Sequence, residues 1–572
     1  MSIILISKLN HGQISRTVTR LPLLLGSAVG ILAQVVSAVA APPVPNAGEI
    51  LKTVPPSVPA PPTREDAQPF PSPPAERAPL KGAPGVTVTV KHIVISGNTA
   101  FPQDQLLPLV QDAIGKTLDF DGLMALAQRI TQFYRDHGHL LARAYLPAQD
   151  ITAGTLEIAV LEGRYGQIRL DNHSRVSDGT LLRELDVLAP GQIVEAGPLE
   201  HQLLLLSDLP GTVVSSTLQP GATTGTSDLV LRADNAPALS GSASVDNWGN
   251  RYTGALRAAA SMDWASPLGI GDRVDLYGMG SERGGTQFGR VAYDLPVSAS
   301  GTRIGTAYSY LNYALGLDFS ALGAHGNAEI TSLYLSQPLA RGRQDNSTLQ
   351  VNFDHRLLRD FVDSTGGSDA KQANVVNLGV NGDHKNTLGS LSSWNATLTG
   401  GRLTLDPVTA AEDALAYRTA GDYYKLNAGT SHLQPLGTGW ALYGALSGQW
   451  ADKNLDMSEK FSMGGPTGVR AYPVGEAMAD DAWLGTLEIR YALSAQIQLA
   501  GFADGGQARL NHSPLPTDIT NQRNLSGLGL GAAWNSHTNL SLLTYFAWRT
   551  GEAPTSAPDR HPTVWAQLTQ TF

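Results

Sequence analysis

The sequence predicts a membrane β-barrel of about 16 antiparallel strands, preceded by two small α+β domains. Short segments that alternate apolar and polar residues, separated by turn residues, fill residues 235–572. This is the pattern of strands with one face towards lipid and one towards a lumen. At roughly 10 residues per span and an equal share for turns, about 340 residues allow on the order of 16 strands. Residues 86–234 instead carry two copies of a strand, helix, helix, strand, strand order.

The alternation is clear in several segments of the barrel region. In STLQVNFDH the residues alternate between an apolar and a polar face: Leu349, Val351 and Phe353 against Gln350, Asn352 and Asp354. ALYGALSGQW places Leu442, Leu446 and Trp450 on one face, and the chain ends in the alternating TVWAQLTQTF. A closed barrel satisfies the edges of such strands in lipid. A secreted β-sandwich or propeller is the alternative interpretation.

Composition excludes several classes of function. The 572-residue chain has a formal net charge of −10, which is atypical of nucleic-acid binders. It contains no Cys, so disulfides, thiolate metal sites and cysteine catalysis are excluded. Charged residues make up only 16%, below the usual share of soluble proteins. No GxSxG or HExxH motif is present, and no His pairs with an acid at metal-ligand spacing. We therefore expect no enzyme activity, no cofactor and no metal.

The N-terminal region predicts export. Residues 1–40 combine the basic residues Lys8, Arg16 and Arg20 with an apolar run and the small-residue site Ala38-Val39-Ala40, which together are typical of a signal peptide. Residues 41–85 form a proline-rich linker, with 14 prolines between positions 42 and 84. Within it, NAGEILKTV (46–54) fits either a short helix or plain linker.

The two α+β domains are expected at 86–163 and 164–234. In the first, FPQDQLLPLVQDAIG (101–115) and residues 119–136 are predicted helices, and the second helix ends at His137-Gly138. Glu157 and Glu162 alternate with apolar residues on a strand, and we expect both to be solvated. The second domain repeats the order, with Ser177 or Asp178 as a helix cap.

Several motifs resemble the TpsB family, the outer-membrane transporters of two-partner secretion of the haemolysin secretion/activation type. Residues 133–163, FYRDHGHLLARAYLPAQDITAGTLEIAVLEG, resemble the end of that family's first POTRA domain. DNWGNRYTGALR (246–257) resembles its first barrel strand, SPLGIGDRV the following turn, and GLGLGAAW (527–534) a late glycine-rich strand. The resemblance covers nearly the whole mature chain and implies two POTRA domains followed by the barrel.

The resemblance also implies a loop, around 459–481, that folds into the barrel after strand 11. Its tip is Val469-Arg470-Ala471-Tyr472, where the family pattern has glycine in place of Ala471. A tip that needed a positive φ at this position would be strained. The partner motif is Phe-x-Asp-x-Gly on a barrel strand, which matches FADGG with the residues Phe502, Asp504 and Gly506.

Strand parity supports the same pairing independently. If Ile497 and Leu499 face lipid, Phe502 and Asp504 face the lumen. A carboxylate beside a low-dielectric wall favours a cationic partner, and the guanidinium of Arg470 can bind it with two parallel hydrogen bonds. The alternative is that both charges line a wet pore.

The resemblance implies an outer-membrane translocase whose POTRA domains lie in the periplasm. Its partners would be an unfolded TpsA-like exoprotein (a haemolysin, adhesin or contact-dependent toxin), outer-membrane lipid and lipopolysaccharide, and the barrel-assembly machinery that inserts it; we expect a monomer. Candidate client-binding residues lie on the POTRA elements: Phe133, Tyr134, Arg143, Tyr145, Leu156, Leu203 and Leu206. Core packing is the alternative role for the two leucines of the second domain.

Three further expectations follow from the resemblance. The N-terminal helix of such proteins can plug the pore, and the candidate here is residues 46–54. An assembly or insertion factor of the same superfamily is one alternative function, although such proteins usually carry more POTRA units and no proline-rich head. A passive porin is the other, and two α+β units before the barrel argue against it.

Overall fold

A computed structural model describes two parts of the chain, Val44–Pro56 and Thr87–Phe572. The predicted signal peptide and most of the proline-rich linker lie outside these residues. Within the two described parts, no helix is both long and apolar enough to cross a membrane. The first element is a short helix, α1 (Ala47–Leu51), whose N-cap Asn46 accepts a hydrogen bond from the Glu49 amide. The segment 46–54 therefore forms a helix rather than plain linker.

The first α+β unit is a three-stranded sheet covered by one long helix. The sheet order is β2-β5-β4, with β2 and β5 parallel, and β1 pairs with β3 beside it. The elements are β1 (Thr87–Thr89), β2 (His92–Ser96), α2 (Gln103–Leu106), β3 (Thr117–Asp119), α3 (Phe120–Asp136), β4 (Arg143–Tyr145) and β5 (Thr155–Leu161).

Local sequence explains where α3 begins and ends. The Asp119 carboxylate accepts from the Gly122 amide at the N-terminus, and Gly138 takes a left-handed φ of 88° just beyond the C-terminus.

The prediction of a helix over 101–115 is wrong in extent. Only Gln103–Leu106 is α-helical there, and two 3₁₀ turns follow. Pro108 has no amide hydrogen to donate and its ring would clash with the carbonyl four residues earlier, so the α-helix ends before it although Leu107 still has helical dihedral angles.

The second α+β unit repeats the arrangement. Its sheet has the order β6-β8-β7, with β6 and β8 parallel. Ser177 caps α4 through a hydrogen bond from the Thr180 amide, so Ser177 rather than Asp178 is the cap. The elements are β6 (Arg164–Asn172), α4 (Asp178–Arg183), α5 (Ala196–Ser207), β7 (Thr212–Pro220) and β8 (Thr226–Asn235).

The remaining chain forms a closed antiparallel barrel of 16 strands, which confirms the predicted fold class. Its first eleven strands are β9 (Leu239–Asp246), β10 (Arg257–Ala265), β11 (Arg273–Ser281), β12 (Thr286–Pro296), β13 (Arg303–Ala314), β14 (Ala324–Arg341), β15 (Asp345–Val362), β16 (Gly367–Lys385), β17 (Leu391–Leu405), β18 (Gly421–Gly437) and β19 (Trp440–Ala451), and the other five follow a long insertion. A helix, α6 (Pro407–Leu415), lies between β17 and β18.

The insertion follows the eleventh barrel strand, β19, as expected. It contains the two-residue strands β20 (Phe461–Ser462) and β21 (Met478–Ala479), which pair with each other. The barrel then continues with β22 (Asp481–Ala492), β23 (Ile497–Arg509), β24 (Gln522–Asn535), β25 (Leu540–Arg549) and β26 (Thr563–Thr571). Closure occurs where β26 pairs with β9, from Gln567 opposite Asp246 to Thr571 opposite Ser242.

The first barrel strand lies earlier than expected. Residues 246–257 were expected to form it, yet β9 ends at Asp246 and 247–256 connect it to β10. Two glycines account for this. Gly254 has a φ of 101°, and a Cβ on Gly249 would lie 2.0 Å from the Gly254 carbonyl oxygen, so the chain turns tightly here.

The two faces of the wall follow the predicted parity. Leu442, Leu446 and Trp450 are exposed on the outside, as are alternate residues of the other strands. Asp354 and Asp504, at the opposite parity, are buried against the lumen contents. The apolar belt therefore faces outwards and the charged residues face inwards, as a membrane barrel requires.

The second α+β unit packs against one rim of the barrel, which we call the near end; the opposite rim is the far end. The Ser177 amide donates to the Gly269 carbonyl in the β10–β11 turn at 2.8 Å. At the β14–β15 turn, Arg341 donates to both carboxylate oxygens of Asp208, at 2.8 and 2.9 Å. The barrel residues of these contacts, Gly269 and Arg341, lie in or beside short turns between strands. The unit is therefore fixed at the near end by a main-chain hydrogen bond and an ion pair.

Candidate functional site

The inward-folded loop (residues 452–480) carries Arg470 to the inner face of the barrel wall. Its Nε and Nη2 donate to the two oxygens of Asp504 on β23, at 2.8 and 2.7 Å, and its backbone amide donates to the same carboxylate at 3.1 Å. Its Nη1 donates to Glu488 on β22 at 2.6 Å. All three side chains are buried. One guanidinium thus joins two carboxylates of adjacent strands, and the second oxygen of Glu488 also accepts from Arg490 at 2.8 Å.

Aromatic residues surround the site that Arg470, Asp504 and Glu488 form at the tip of the loop, which we call the tip site. The guanidinium carbon of Arg470 lies 3.5 Å from the ring centre of Phe502 and 4.8 Å from that of Tyr545. The indole nitrogen of Trp565 on β26 donates to the Arg470 carbonyl at 2.7 Å. A desolvated cation above a ring gains cation–π attraction in addition to its ion pairs. The tip site therefore connects strands from β22 to β26, up to the closing seam.

The neighbours of Arg470 are buried against the wall. Ala471 is not among the described residues with a positive φ, so its methyl group causes no backbone strain. That methyl group touches β24, because a Cβ on Gly527 would lie 2.5 Å from it. Val469 and Tyr472 are fully buried, and the Tyr472 hydroxyl donates to the Glu552 carbonyl at 2.7 Å. Glycine on the wall thus accommodates alanine on the loop.

Gly506 has the same role deeper along β23. A Cβ there would lie 2.2 Å from the Trp483 carbonyl oxygen and 2.7 Å from the terminal methyl of Met463. Met463 belongs to the loop and is completely buried. The third residue of the Phe-x-Asp-x-Gly motif therefore leaves room for the loop rather than binding it through a side chain.

Charged residues fix the two ends of the loop as well. At its start, Glu459 accepts from Arg356 on β15 and Lys425 on β18, at 2.5 and 2.7 Å. The neighbouring Asp456 pairs with Lys371 on β16 at 2.9 Å. These pairs are buried, so the start of the loop is fixed to the wall opposite the tip site.

At the end of the loop, Glu476 joins it to the β25–β26 connection. Its carboxylate is fully buried and accepts from the Thr555 and Ser556 amides and from Arg523, at 2.9 to 3.1 Å. Glu476, Glu488 and Trp565 were not identified from the sequence. Strand parity places Glu488 on the lumen side, two residues after Thr486, which lies opposite Asp504. No sequence signal identifies Glu476, because it lies in an irregular loop.

A second insert, residues 44–56 with helix α1, occupies the lumen beside the loop; we call it the plug segment. The Ala47 amide donates to Asp360 of β15 at 2.7 Å, and Ala47 and Ile50 are fully buried among wall residues. A Cβ on Gly48 would lie 2.6 Å from the Ser458 backbone nitrogen, so helix and loop are in direct contact. Asn250 on the far-end β9–β10 connection donates to Glu49 at 3.3 Å. The short helix is therefore seated between loop and wall.

The tail of the plug segment extends towards the near end along strands β10 to β12. Arg257 donates from Nη1 to the Thr53 carbonyl at 2.7 Å, while its Nε contacts Asp246 at 2.8 Å. Arg290 donates from Nη1 to the Pro56 carbonyl at 2.6 Å, and its Nη2 contacts Asp275 at 2.7 Å. The wall thus holds the tail by its main-chain carbonyls.

The candidate client-binding residues lie in the two α+β units, but most are not accessible. Tyr134 and Leu156 are core residues of the first unit, and Leu203 and Leu206 are core residues of the second, each at most 2% exposed. Phe133 and Tyr145 are half-buried and Arg143 is exposed. Burial in a folded core removes four of the seven side chains from direct contact with a client, which supports the core-packing role for the leucines.

The expectation that Glu162 is solvated is wrong, since it is only 4% exposed. Its carboxylate accepts from the amides of Thr99 and Ala100, at 2.5 and 2.6 Å, and from the Tyr134 hydroxyl at 3.1 Å. Burial opposes the charged form, but these hydrogen bonds outweigh it and lower the pKa of Glu162. Glu157, by contrast, is half-buried and accepts from Ser96 at 2.7 Å. Glu162 therefore has a structural role at the end of the sheet.

Metal ligation has no support within the described residues. They contain no group of three or more His, Asp or Glu side chains arranged to hold a metal ion. Many charged groups of the lumen are instead paired cation to carboxylate, and these pairs hold the loop against the wall.

A closed 16-strand barrel with an apolar outer belt, two inserts in its lumen and α+β units at one rim defines an outer-membrane transporter of the POTRA–barrel class. Residues 225–534 match the family model "Haemolysin secretion/activation protein ShlB/FhaC/HecB", and residues 88–163 match "POTRA domain, ShlB-type". The chain belongs to this family of two-partner secretion transporters. The POTRA domains are periplasmic in this family, so the near end faces the periplasm and the far end the cell exterior.

Named relatives agree with this assignment. The heme/hemopexin transporter protein HuxB of Haemophilus influenzae is 27% identical over 493 residues, covering 85% of this chain and 87% of that protein. The outer membrane transporter CdiB of Escherichia coli O6:K15:H31 is 27% identical over 406 residues, 68% of this chain and 67% of that protein.

Solved structures show the same fold. CdiB from Escherichia coli superposes with a TM-score of 0.67 at 22% identity, over 86% of this chain and 93% of that one. BamA from Haemophilus ducreyi lacking POTRA domains 1–3 gives a TM-score of 0.52 at 15% identity, over 85% of this chain and all of that one.

Proposed function

We propose that this protein recognises an unfolded exoprotein in the periplasm through its POTRA domains and moves it through the barrel to the cell surface. The observation that carries the proposal is the double occupation of the lumen. The plug segment and the inward-folded loop both lie in the lumen, and both are held to the wall by ion pairs and hydrogen bonds. A conduit for a large chain needs such removable contents.

Client recognition is proposed for the open edges of the POTRA sheets. In the first unit β2 and β4 are the edge strands. In the second unit they are β7 and β6, although the start of β6 already pairs with residues 191–193. Edge strands present unpaired main-chain groups that can template an added strand. Because most of the candidate side chains are buried, the client would bind through main-chain hydrogen bonds to these edge strands. The exposed side chain of Arg143 would add to these contacts. Folding of the client outside the cell would drive transport, since no ATP or proton gradient acts there.

The passive-porin alternative fits the lumen poorly, because a porin keeps a water-filled channel. An insertion factor for membrane proteins remains the second candidate function. The BamA likeness concerns the fold alone and favours neither role.

Co-expression tests the proposal. A large, signal-bearing exoprotein encoded beside this gene should reach the surface or the medium only in cells that carry this chain. Deletion of residues 87–234 should abolish its appearance while the barrel still inserts, as judged by heat-modifiable migration. Unchanged export without residues 87–234 would refute POTRA recognition. Loss of membrane-protein insertion in cells without this chain would favour the assembly role.

A further inference from the structure

The lumen wall carries a series of paired arginines that contact the plug segment in an unusual way. Arg257 lies on β10 and Arg290 on β12, and each is held on one side by an aspartate, Asp246 and Asp275 respectively. The remaining Nη1 of each points away from its aspartate and donates to a main-chain carbonyl. Neither contact involves a side chain of the plug segment, so neither depends on the sequence held there.

The two carbonyls are three residues apart, at Thr53 and Pro56. The sequence Val54-Pro55-Pro56 favours an extended polyproline conformation, because proline fixes its own φ and restricts the residue before it. A polyproline II helix has three residues per turn and rises about 3.1 Å per residue, so carbonyls three apart share one face about 9 Å from each other. The wall therefore contacts two carbonyls three residues apart, the first in the turn that ends α1, where the Thr53 amide donates to the Ile50 carbonyl at 2.9 Å, and the second on the proline pair.

The register of the barrel repeats this spacing. On β11, Ser281 lies opposite Arg257 of β10, and Tyr277 lies opposite Arg290 of β12. The next arginine towards the near end, Arg273, is on β11 itself. These positions on β11 are four residues apart, or about 13 Å along a strand. With a tilt of about 40°, this is about 10 Å along the barrel axis, close to one polyproline turn.

Arg273 is paired with an aspartate in the same way as Arg257 and Arg290. Its Nε and Nη2 contact Asp294, at 3.1 and 3.0 Å, and within the described residues its Nη1 has no hydrogen-bond partner. A cavity of about 590 Å³ lies beside it, lined by Pro55, Pro56, Arg290 and Arg303 among others. The series thus continues along this cavity towards the near end.

We propose that Arg257, Arg290 and Arg273 form a carbonyl ladder, a binding track for the main chain of an extended polypeptide, which the tail of the plug segment occupies at rest. This rests on the proposed function, since the polypeptide that replaces the tail is the client. Each arginine is neutralised by its aspartate, so the track donates hydrogen bonds without a net charge that would trap acidic segments. Several weak contacts in series allow a chain to enter and also to leave.

Planar-bilayer recording tests the ladder without any exoprotein. The protein is used without residues 44–56, which take no part in strand pairing of the barrel, so the open track is accessible. A proline decamer added on the near-end side should interrupt the current. In Arg290→Gln/Asp275→Asn and in Arg257→Gln/Asp246→Asn, which remove a donor with its counter-charge, each interruption should be about tenfold shorter, as expected for loss of a charge-assisted hydrogen bond.

Two controls make the result specific. Arg402→Gln/Asp422→Asn changes an exposed pair outside the track and should leave the interruptions unchanged. Polyethylene glycol of matched length, which lacks carbonyls, should interrupt the current equally briefly in all variants. Equal interruption times in the unaltered track and both track variants, or no interruption by the peptide at all, would overturn the ladder. Neither result would affect the proposed function, which the secretion assay tests separately.

Discussion

Arg470 donates to both carboxylate oxygens of Asp504, at 2.8 and 2.7 Å, and this fork fixes the tip of the inward-folded loop to the wall of the barrel. A third donor reaches Glu488 at 2.6 Å. The Arg470, Asp504 and Glu488 side chains are all buried, and Arg490 adds a second cation beside Glu488, at 2.7 Å.

Arg470→Ala should release the tip and abolish export. Removal of the guanidinium leaves the buried Asp504 without a cation and leaves Glu488 paired only with Arg490, at 2.7 Å. Breaking a buried pair in this way costs about 3–5 kcal/mol. Arg470→Lys should fail as well, because an ammonium cannot reproduce the planar fork. Secretion of the co-expressed exoprotein, with the amount of inserted barrel as control, provides the measurement. Full secretion by Arg470→Lys would show that charge alone is sufficient.

The contact between Ala471 and Gly527 offers a matched pair of substitutions. Gly527→Ala should displace the tip, because the new methyl group would lie 2.5 Å from the Ala471 methyl. Combined with Ala471→Gly, it should recover most of the lost stability, whereas independent sites would give additive losses. Thermal unfolding of the purified protein in detergent, followed by its heat-modifiable migration, measures the coupling. Additive losses would exclude this contact as the cause.

The plug segment should leave the lumen when its contact with the loop is obstructed. Gly48→Leu places a side chain where only 2.6 Å separates an added Cβ from the Ser458 nitrogen, so the helix cannot keep its seat. We expect a stepwise rise in channel conductance in planar bilayers, similar to that of a deletion of residues 46–54. Gly179→Leu, at an α4 glycine with nothing within 4 Å of an added Cβ, is the matched control and should conduct like the unaltered protein.

Glu184 should make the stability of the second POTRA domain depend on pH. It is 1% exposed, and neither of its carboxylate oxygens accepts a hydrogen bond from the described residues. Burial raises the pKa of Glu184 from 4.5 to about 7, against the opposing influence of Arg183 and Arg303. For an acid whose folded pKa is raised, folding is favoured at low pH, and stability falls as pH rises from about 4.5 to about 7.

Glu184→Gln removes this titration while keeping the shape of the side chain. The variant should be more stable than the unaltered protein at pH 8 and similar to it at pH 5. Hydrogen exchange of residues 178–207 at both pH values provides the measurement. An equal difference at pH 5 and pH 8 would assign the effect to packing rather than to ionisation.

The contact between Asp208 and Arg341 should hold the second POTRA domain at the near end. Arg341 is 7% exposed and donates to both oxygens of Asp208. Arg341→Gln should speed hydrogen exchange in α5 and in the β14–β15 turn, because the bidentate contact is lost. Arg232→Gln breaks an exposed pair with Asp234 within the same domain and should have little effect.

The sequence by itself predicted the barrel, a strand number of about 16 from its length, and the faces of several strands, because strands that face lipid alternate apolar and polar residues. Parity alone placed Asp504 in the lumen, and the VRAY motif supplied Arg470 as its partner. The helix over 101–115 was overestimated, since Pro108 ends it early. The first strand was placed too late, since glycines at 249 and 254 turn the chain after Asp246.

Only the tertiary structure decided what fills the lumen and what holds it there. Glu476, Ser458 and the carbonyl contacts of Arg257 and Arg290 join residues that are about 80 to 410 positions apart, and irregular loops and main-chain carbonyls carry no periodic signal. The burial of Leu203 and Leu206 was likewise open, because an apolar helix fits a core and a client surface equally well until its neighbours are placed. Local periodicity is written in the sequence, whereas contacts across the barrel depend on how the strands close.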